Sequence, residues 1–441
     1  MDAAAEYNEL LARDPAAALE QAGRLETAFR STNITFGGEP MRSFLRPHFV
    51  GRADWDWIRK SAQRLIELAS RVARHAFDGD VRSLCALLGT PEAEVPWVAH
   101  DPGPPDVLLS RVDAFVGDRS LHFIEVNSDA PAGFGYGDQM AEVIGASSAF
   151  REFARTHRLS YQPSAPPLVE EVLRLGRGLP PAPQVAIVDF AEVKTRPDQE
   201  LLARRFHARG AHCRLLDPRQ VELSRGRMVA DGIPIDIVYR RGLLSELLER
   251  EDEVRAFLRG YREGLAVFVN SLRCRLAEDK AFLALLTDES FAGLLSRDEI
   301  EFVERHVPWT RKLEERHTSK AGRSIDLVPF VIANREALVL KPSHGYGGRS
   351  VFVGDETPEP AWRAAVGEGL GAGWVVQERV AIPEEVFPVI EDGRLAFDRL
   401  KLNANPFYIG GADAGAVARA SRSSVINVSA GGGSVPTFVV E

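Results

Sequence analysis

The sequence has few cysteines and no long apolar run, and both absences narrow the class of protein. Its three cysteines, Cys85, Cys213 and Cys274, lie far apart and form no C-x-x-C pair. A structural zinc site or a disulfide framework therefore has no support, and a reducing compartment fits best. No apolar run approaches the roughly 18 residues that a membrane-spanning helix needs. The start, MDAAAEYNELLARD, lacks the basic and apolar regions of a secretory signal, so we expect a cytoplasmic protein.

An excess of positive charge is also absent. The chain has 54 Lys and Arg against 63 Asp and Glu, a formal net charge of −9, so no overall attraction to nucleic acid or anionic membrane is expected. The G-x-G-x-x-G, G-x-x-x-x-G-K-[ST] and G-x-S-x-G patterns are missing. Dinucleotide binding, a P-loop and a serine nucleophile of the common type therefore have no support. What is present is an ordinary globular composition over 441 residues, enough for two or three domains.

Four regions follow from the spacing of apolar residues and of turn signals. Residues 1–105 carry apolar residues at helical spacing. Residues 106–180 begin with two alternating runs around a Gly-Asp turn, which predicts a β-hairpin, and continue as helix. Residues 181–262 alternate strand and helix, as a small Rossmann-like α/β subdomain does. Residues 263–441 contain short strands and glycine-rich turns.

The hairpin is the first candidate site. If its loop is the three residues 118–120, Asp113 lies opposite Glu125 and Arg111 lies opposite Asn127, with apolar residues on the other face. Two facing carboxylates repel each other unless a cation lies between them. Mg²⁺ with bound phosphates is a natural occupant, because it prefers oxygen ligands. Solvent-facing polar residues of an edge hairpin would give the same spacing.

The second candidate site is a lysine followed by glycines. Lys341 ends an apolar strand, and Gly345, Gly347 and Gly348 come after it. Such a loop can turn its backbone N–H groups toward phosphate oxygens, and the lysine can reach them as a point charge. A flexible hairpin loop with a solvated lysine is the alternative reading of the same residues.

Two weaker signals accompany these. Lys280 opens an apolar helix, where it opposes the helix dipole, and this suggests an anionic partner unless the lysine is simply exposed. Gln377, Glu378 and Val380 end the strand WVVQERV, where backbone and carboxamide groups could bind an adenine edge. An ordinary strand end explains them equally well.

The order of these motifs resembles the synthetase domain of glutathionylspermidine synthase and its circularly permuted ATP-grasp relatives. The shared series is R-x-D, E-x-N, N/D-K-A-x-L, K-P-x-x-G-x-G-G, a V-Q-E hinge and a late arginine, over roughly residues 106–441. In most ATP-grasp enzymes the E-x-N pair follows the glycine loop, whereas here it precedes the loop by about 200 residues. The resemblance implies an α+β, circularly permuted ATP-grasp fold, with the helical N-terminal region and the Rossmann-like subdomain added and the ATP-binding lobes in 263–441.

The resemblance also implies a role for each residue. The implied roles are Mg²⁺ binding by Asp113, Glu125 and Asn127, ATP binding by Lys280, Lys341, Gly345, Gly347, Gly348, Gln377, Glu378 and Val380, and catalysis by Arg111 and Arg419. Arg422 competes with Arg419 for the position of the late arginine. The middle of KPSHGYGGRS and the tail INVSAGGGSVPTFVV depart from the family, so the glutathione and spermidine specificity does not carry over.

We therefore expect an ATP- and Mg²⁺-dependent carboxylate–amine ligase that works through an acyl phosphate on small-molecule substrates or a peptide. A small-molecule kinase using the same ATP site, a non-catalytic nucleotide-binding protein, and a ligase that adds an amino acid to a peptide remain open alternatives. Arg240 and Arg241, at the end of DIVYRR, could bind an anionic substrate if they are not merely exposed.

Overall fold

The computed structural model of the chain describes residues 2–176, 178, 182–344, 350–427 and 431–441. Helices and several sheets are mixed along the chain, as in the α+β class that the sequence predicts. Within the described ranges, no helix has both the length and the apolar character needed to cross a membrane.

The helices cluster before residue 100 and then alternate with strands. The α-helices are α1 (Ala3–Arg13), α2 (Pro15–Ser31), α3 (Arg52–His75), α4 (Val81–Leu88), α5 (Val95–Val98), α6 (Phe134–Gly145), α7 (Ser148–Phe153), α8 (Ala165–Leu175), α9 (Arg196–Ala208), α10 (Leu244–Glu249), α11 (Arg255–Arg262), α12 (Arg275–Glu278), α13 (Lys280–Thr287), α14 (Arg297–His306), α15 (Leu327–Ala333) and α16 (Glu359–Gly369). Short 3₁₀ helices cover Ala76–Gly79, Pro218–Gln220, Leu272–Cys274, Glu289–Leu294 and Arg335–Ala337.

The strands before residue 240 are β1 (Thr35–Phe36), β2 (Glu39–Pro40), β3 (His48–Gly51), β4 (Leu109–Gly117), β5 (Ser120–Asn127), β6 (Leu159–Ser160), β7 (Gln184–Val188), β8 (His212–Leu216), β9 (Glu222–Ser224), β10 (Arg227–Ala230), β11 (Ile233–Pro234) and β12 (Ile237–Arg240). The later strands are β13 (Val267–Val269), β14 (Thr310–Lys312), β15 (His317–Lys320), β16 (Arg323–Asp326), β17 (Leu338–Pro342), β18 (Phe352–Val353), β19 (Trp374–Glu378), β20 (Glu384–Glu391), β21 (Arg394–Ile409), β22 (Ala416–Ser421) and β23 (Gly433–Val440).

Local sequence explains where the N-terminal helices begin and end. The side chain of Asp14 accepts a hydrogen bond from the N–H of Ala17, and Pro15 occupies the first turn, a favourable start for α2. Gly89 ends α4 in the left-handed conformation, with φ of 75°, as the sequence predicts. The region is not wholly helical, because β3 pairs in parallel with β23 and so joins the main sheet.

The main sheet has the strand order β3, β23, β22, β21, β4, β5, with β20 paired to β21 and β6 paired to β23. Two smaller sheets flank the site described below. One is antiparallel, in the order β14, β19, β17, β18, and the other is parallel, in the order β13, β12, β7, β8. The parallel sheet agrees with the α/β pattern of residues 181–262, although its strand β13 lies beyond residue 262.

The hairpin β4–β5 corrects one sequence prediction. Its loop has two residues rather than three, because Gly117 pairs with Ser120. The pairing would then shift by one residue, but Ile124 forms a bulge between the pairs of Ala114 with Phe123 and of Asp113 with Glu125. A bulge adds one residue to one strand, so it cancels the error in loop length. The predicted pairing of Asp113 with Glu125 is therefore confirmed.

Candidate active site

The polar face of the hairpin presents a carboxylate, an amide and an arginine together. Arg111 and Asp113 are two residues apart on β4 and therefore share a face. Oδ1 of Asp113 accepts hydrogen bonds from Nε of Arg111 at 3.0 Å and from Nδ2 of Asn127 at 3.2 Å. Asn127 also donates to the carbonyl of Arg111 at 3.1 Å. The sequence-predicted group thus converges, with Asp113 buried.

A second arginine reaches Asp113 from the main sheet. Arg419 lies on β22 opposite Asn403 of β21, and its Nη1 is 3.2 Å from Oδ2 of Asp113. Burial and the nearby charge of Arg111 lower the pKa of Arg419 to about 10, although Asp113 acts in the opposite direction. Arg422, three residues on, is exposed and pairs with Asp398 at 2.6 Å. Of the two candidates for the late arginine, only Arg419 therefore contacts the hairpin group.

Lys280 neutralises the second carboxylate of the hairpin. It is the first residue of α13, and its Nζ is 2.8 Å from Oε1 of Glu125. Burial disfavours both charged forms, but the attraction between the two groups outweighs it. As a result the pKa of Lys280 is raised, and the pKa of Glu125 is lowered, with Lys341 and Arg111 contributing to the latter. Glu125 is therefore a firmly ionised carboxylate.

Lys341 approaches the same hairpin from β17. Its Nζ donates to the carbonyl of Ile124 at 3.0 Å and to Oε1 of Gln377 at 2.9 Å. The bulged residue thus offers its backbone carbonyl to this lysine. Burial, followed by the partly compensating charge of Glu125 and the like charge of Lys280, lowers the pKa of Lys341 to about 8. This lysine has polar partners but no carboxylate at ion-pair distance among the described residues.

Hydrogen bonds among short polar side chains connect the segment that carries Lys280 to the segment that carries Lys341. Asp279 caps α13 by accepting from the N–H of Ala281 at 2.9 Å. The same carboxylate accepts the hydroxyl of Ser343 and lies 3.0 Å from Nδ1 of His344. The carbonyl of Ser343 in turn accepts from the N–H of Lys280 at 3.3 Å. The separation of Lys280 from the end of β17 is therefore held by buried contacts.

In the predicted adenine hinge, the side chains of Gln377 and Glu378 contact other protein residues. Gln377 is buried, and its amide connects Lys341 to the hydroxyl of Thr310, which it reaches at 2.9 Å. Its carboxamide thus braces a lysine. Glu378 is half-buried and pairs with Lys320 at 2.7 Å, while Val380 follows the end of β19, half-buried. The side chains of Gln377 and Glu378 thus already have partners within the protein.

Three predicted residues cannot be placed, because Gly345, Gly347 and Gly348 lie outside the described residues. The two arginines after β12 are placed, and both are buried. Arg240 pairs with Asp129, and Arg241 donates to the carbonyl of Ala130 at 2.9 Å. They therefore hold the loop that follows Asn127 and are not the exposed arginines that the sequence allowed.

Around the two hairpin carboxylates, cations outnumber acids, while Glu278 and Asp279 add negative charge on the side of Lys280. Four cations, Arg111, Arg419, Lys280 and Lys341, come from four separate segments, while Asp113 and Glu125 supply two carboxylates. Among the described residues, no group of three or more His, Cys, Asp or Glu side chains could hold a metal; the hairpin set consists of two carboxylates and an amide. Such a surplus suits a polyanion, since each added negative charge relieves repulsion among the cations.

One nearby acid was missed from the sequence. The Oε2 atom of Glu278 accepts from the N–H groups of Ser128 at 2.7 Å and of Asp129 at 2.5 Å, directly after Asn127. The only sequence signal was its position two residues before Lys280. Glu278 ends α12, and the acid that caps α13 is Asp279, so the run AEDK gave no reason to single out Glu278.

Comparisons with known proteins identify a solved structure with the same fold. A scan against protein-family models gave no match, and a search of the curated proteins gave none either. Among solved structures, the chain is similar to the apo form of a glutathione synthetase-like effector from Globodera pallida. The TM-score is 0.65 at 12% sequence identity, covering 97% of this chain and 98% of that chain. This chain shares the fold of that protein.

A second solved structure is more distant. It is a Methylobacillus flagellatus KT protein whose proposed identity is a gamma-glutamylcysteine synthetase, with a TM-score of 0.41 and 11% identity over 86% of each chain. A TM-score this low carries no argument about this chain. At 12% identity, the first likeness shows the fold alone, so the chemistry must be argued from the site.

Proposed function

We propose that this protein is an ATP- and Mg²⁺-dependent carboxylate–amine ligase that forms an amide or peptide bond through an acyl phosphate. One observation carries the proposal. Two arginines and two lysines from separate segments converge on the facing carboxylates of one hairpin. Buried cations in excess are unfavourable without a counter-charge, and the polyphosphate of ATP supplies one.

The hairpin residues fit Mg²⁺ by their donor chemistry. Asp113 and Glu125 offer carboxylate oxygens, and Asn127 offers an amide whose oxygen and nitrogen can exchange places by rotation. Mg²⁺ is bound in proteins by one or two carboxylates together with substrate phosphates, so these three residues would hold it. Bound there, the ion would neutralise phosphate charge. Asp113 and Glu125 are at present ion-paired with Arg111, Arg419 and Lys280, and these contacts would be exchanged for the ion and the phosphates.

The remaining residues would position the reactants. Lys280 and Lys341 would bind ATP phosphates as point charges. Arg111 and Arg419, both on Asp113, would face the acyl phosphate and the oxyanion that develops when the amine attacks it. The reaction needs positioning and charge neutralisation rather than a side-chain nucleophile, in agreement with the absence of such a motif.

The fold supports the same class of reaction. The glutathione synthetase-like protein covers nearly the whole chain, and its name indicates a ligase relative. We further propose that the fold is a circularly permuted ATP-grasp, because the hairpin with Glu125 and Asn127 precedes β17 and the glycine loop in the chain. The Gln377, Glu378 and Val380 segment would then lie along the adenine.

The proposal is tested by measuring ADP and phosphate release with Mg-ATP over a panel of carboxylic acids and amines. A ligase gives ADP, free phosphate and an amide, whereas a kinase gives a stable phosphorylated product and no free phosphate. In the variant Glu125→Gln we expect ADP formation to fall by about 10²-fold or more, as for a removed electrostatic group. Glu304→Gln, on the exposed side of α14, is the matched control. Near-normal turnover by Glu125→Gln would remove the hairpin from the site.

A further inference from the structure

Glu278 differs from the other acids of the site in its partners. Asp113 is paired with two arginines and Glu125 with Lys280. Among the described residues, Glu278 binds two backbone N–H groups, both through Oε2, and the charge of Arg275 acts on it from beyond ion-pair distance. Within the described part of the chain, no Lys, Arg or His nitrogen lies at ion-pair distance from its carboxylate.

Its location connects it to the reacting groups. The N–H of Ser128, which Glu278 binds, directly follows Asn127, and Lys280 comes two residues after Glu278 and binds Glu125. The negative charge of Glu278 is close enough to raise the pKa of Lys280, although burial and Glu125 are the larger influences. Glu278 is half-buried, as are Glu125 and Asn127. Each of these three residues therefore keeps some exposed surface.

The proposed reaction needs a negative charge there. Aliphatic amines are cations at neutral pH, and Arg111, Arg419, Lys280 and Lys341 would repel them. In the second half-reaction, an acyl phosphate and an ammonium give an amide, hydrogen phosphate and one proton. The bound ammonium first releases one proton to solvent, and its nitrogen lone pair then forms the C–N bond. The C–O bond between the acyl carbon and the phosphate oxygen breaks, and the phosphate leaves with that electron pair and takes up the second proton of the nitrogen. The ammonium must reach the acyl carbon through a site whose other acids already have cationic partners.

We propose that Glu278 binds the ammonium group of the amine substrate and so selects a cationic acceptor. This inference rests on the proposed ligase function. Oε2 is fixed by the loop after Asn127, which leaves Oε1 to receive the ligand. Burial and the charge of Asp129 raise the pKa of Glu278 more than Arg275 and the two N–H groups lower it. A carboxylate in such surroundings gains from a new cationic partner, and the bond to an ammonium is charge-assisted.

The test separates amine binding from carboxylate activation. With Mg-ATP and the acid that releases most ADP in the screen, hydroxylamine, which is uncharged at neutral pH, traps the acyl phosphate as a hydroxamate. Ethylamine, a cation, competes for the acceptor position. For Glu278→Gln we expect hydroxamate formation without ethylamine to stay within about twofold of wild type. The ethylamine concentration that halves it should rise about 10- to 100-fold, as for one lost charge-assisted hydrogen bond.

The variants are chosen to keep the fold. A glutamine oxygen can still accept the N–H groups of Ser128 and Asp129, and Glu278→Asp, which keeps the charge, should restore sensitivity to ethylamine. An unchanged ethylamine response in Glu278→Gln overturns the inference. So does an equal loss of hydroxamate formation without ethylamine, because Glu278 would then serve activation. If the wild-type protein forms no hydroxamate with any acid, the ligase proposal itself fails, and this inference fails with it.

Discussion

Two buried arginine–aspartate pairs lie close to one another in this molecule and have opposite electrostatic surroundings. Arg419 is 3.2 Å from Asp113 in the candidate site, and burial together with a second arginine lowers its pKa to about 10. Arg240 is 2.6 Å from Asp129 behind the site. Burial disfavours its charge too, but the paired carboxylate of Asp129 raises the pKa of Arg240 above its ordinary value.

The difference separates a pair that serves the fold from a pair that is proposed to serve chemistry. Arg240 and Asp129 form a balanced pair of one cation and one carboxylate. Arg419, in contrast, shares the single carboxylate of Asp113 with a second arginine, Arg111. A buried surplus of one sign destabilises a folded chain unless a ligand compensates it, so the surplus marks the position where an anion is expected.

The largest expected effect is on stability, at the pair behind the site. Arg240 is almost completely buried and also donates to the carbonyl of Gly242 at 2.7 Å. Arg240→Met would leave Asp129 buried without its partner. We expect the free energy of unfolding to fall by about 3–5 kcal/mol, measured by urea denaturation. A loss below about 1 kcal/mol would show that water or a rearranged side chain replaces the arginine.

Replacing the arginine of the candidate site by methionine should affect activity rather than stability. In Arg419→Met, Asp113 keeps Arg111 as its partner, and the surplus of cations becomes smaller. We expect the free energy of unfolding to stay equal or to rise, while turnover falls by about 10²- to 10³-fold, as for a lost oxyanion contact. Denaturation and ADP release, measured on one preparation, check both parts. A variant that is destabilised but active would reverse the assignment of the two pairs.

Some charged contacts can be predicted from the sequence and others cannot, for a physical reason. The pairing of Asp113 with Glu125 follows from the alternation of apolar and polar residues, which fixes the face of each side chain. The alternation does not reveal the two-residue loop and the bulge at Ile124 that produce this pairing. That bulge matters, because its carbonyl receives Lys341.

Sequence patterns do not predict contacts between segments that lie far apart in the chain. The strand-and-helix alternation predicts the parallel sheet, but nothing in DIVYRR indicates that Arg240 would meet Asp129, 111 residues earlier by number. Glu278 was missed for the same reason, since its partners Ser128 and Asp129 come from another element. Periodicity describes one element at a time, whereas a buried charge depends on what other elements bring to it.

A smaller effect is expected from the two lysines, which differ as the two arginines do. The pKa of Lys280 is raised by its pairing with Glu125, despite burial, whereas burial lowers that of Lys341 to about 8. The protonated form of Lys341 is the one that would bind phosphate. Above a pH of about 8, kcat/KM for ATP should therefore fall roughly tenfold per pH unit. In Lys341→Arg, which stays charged, that fall should disappear. If it persists, another group titrates.

The smallest effect is expected at Arg422, the competing candidate for the late arginine. It is exposed and pairs with Asp398 at 2.6 Å and with Glu391, away from the hairpin carboxylates. Exposed ion pairs contribute little, because water and salt screen them. In Arg422→Met we expect an unchanged unfolding midpoint and unchanged ADP release, measured beside Arg419→Met. A loss of turnover in Arg422→Met alone would exchange the two arginines. The surplus of positive charge around Asp113 would then be a feature of the fold, because removing the buried arginine would leave catalysis intact.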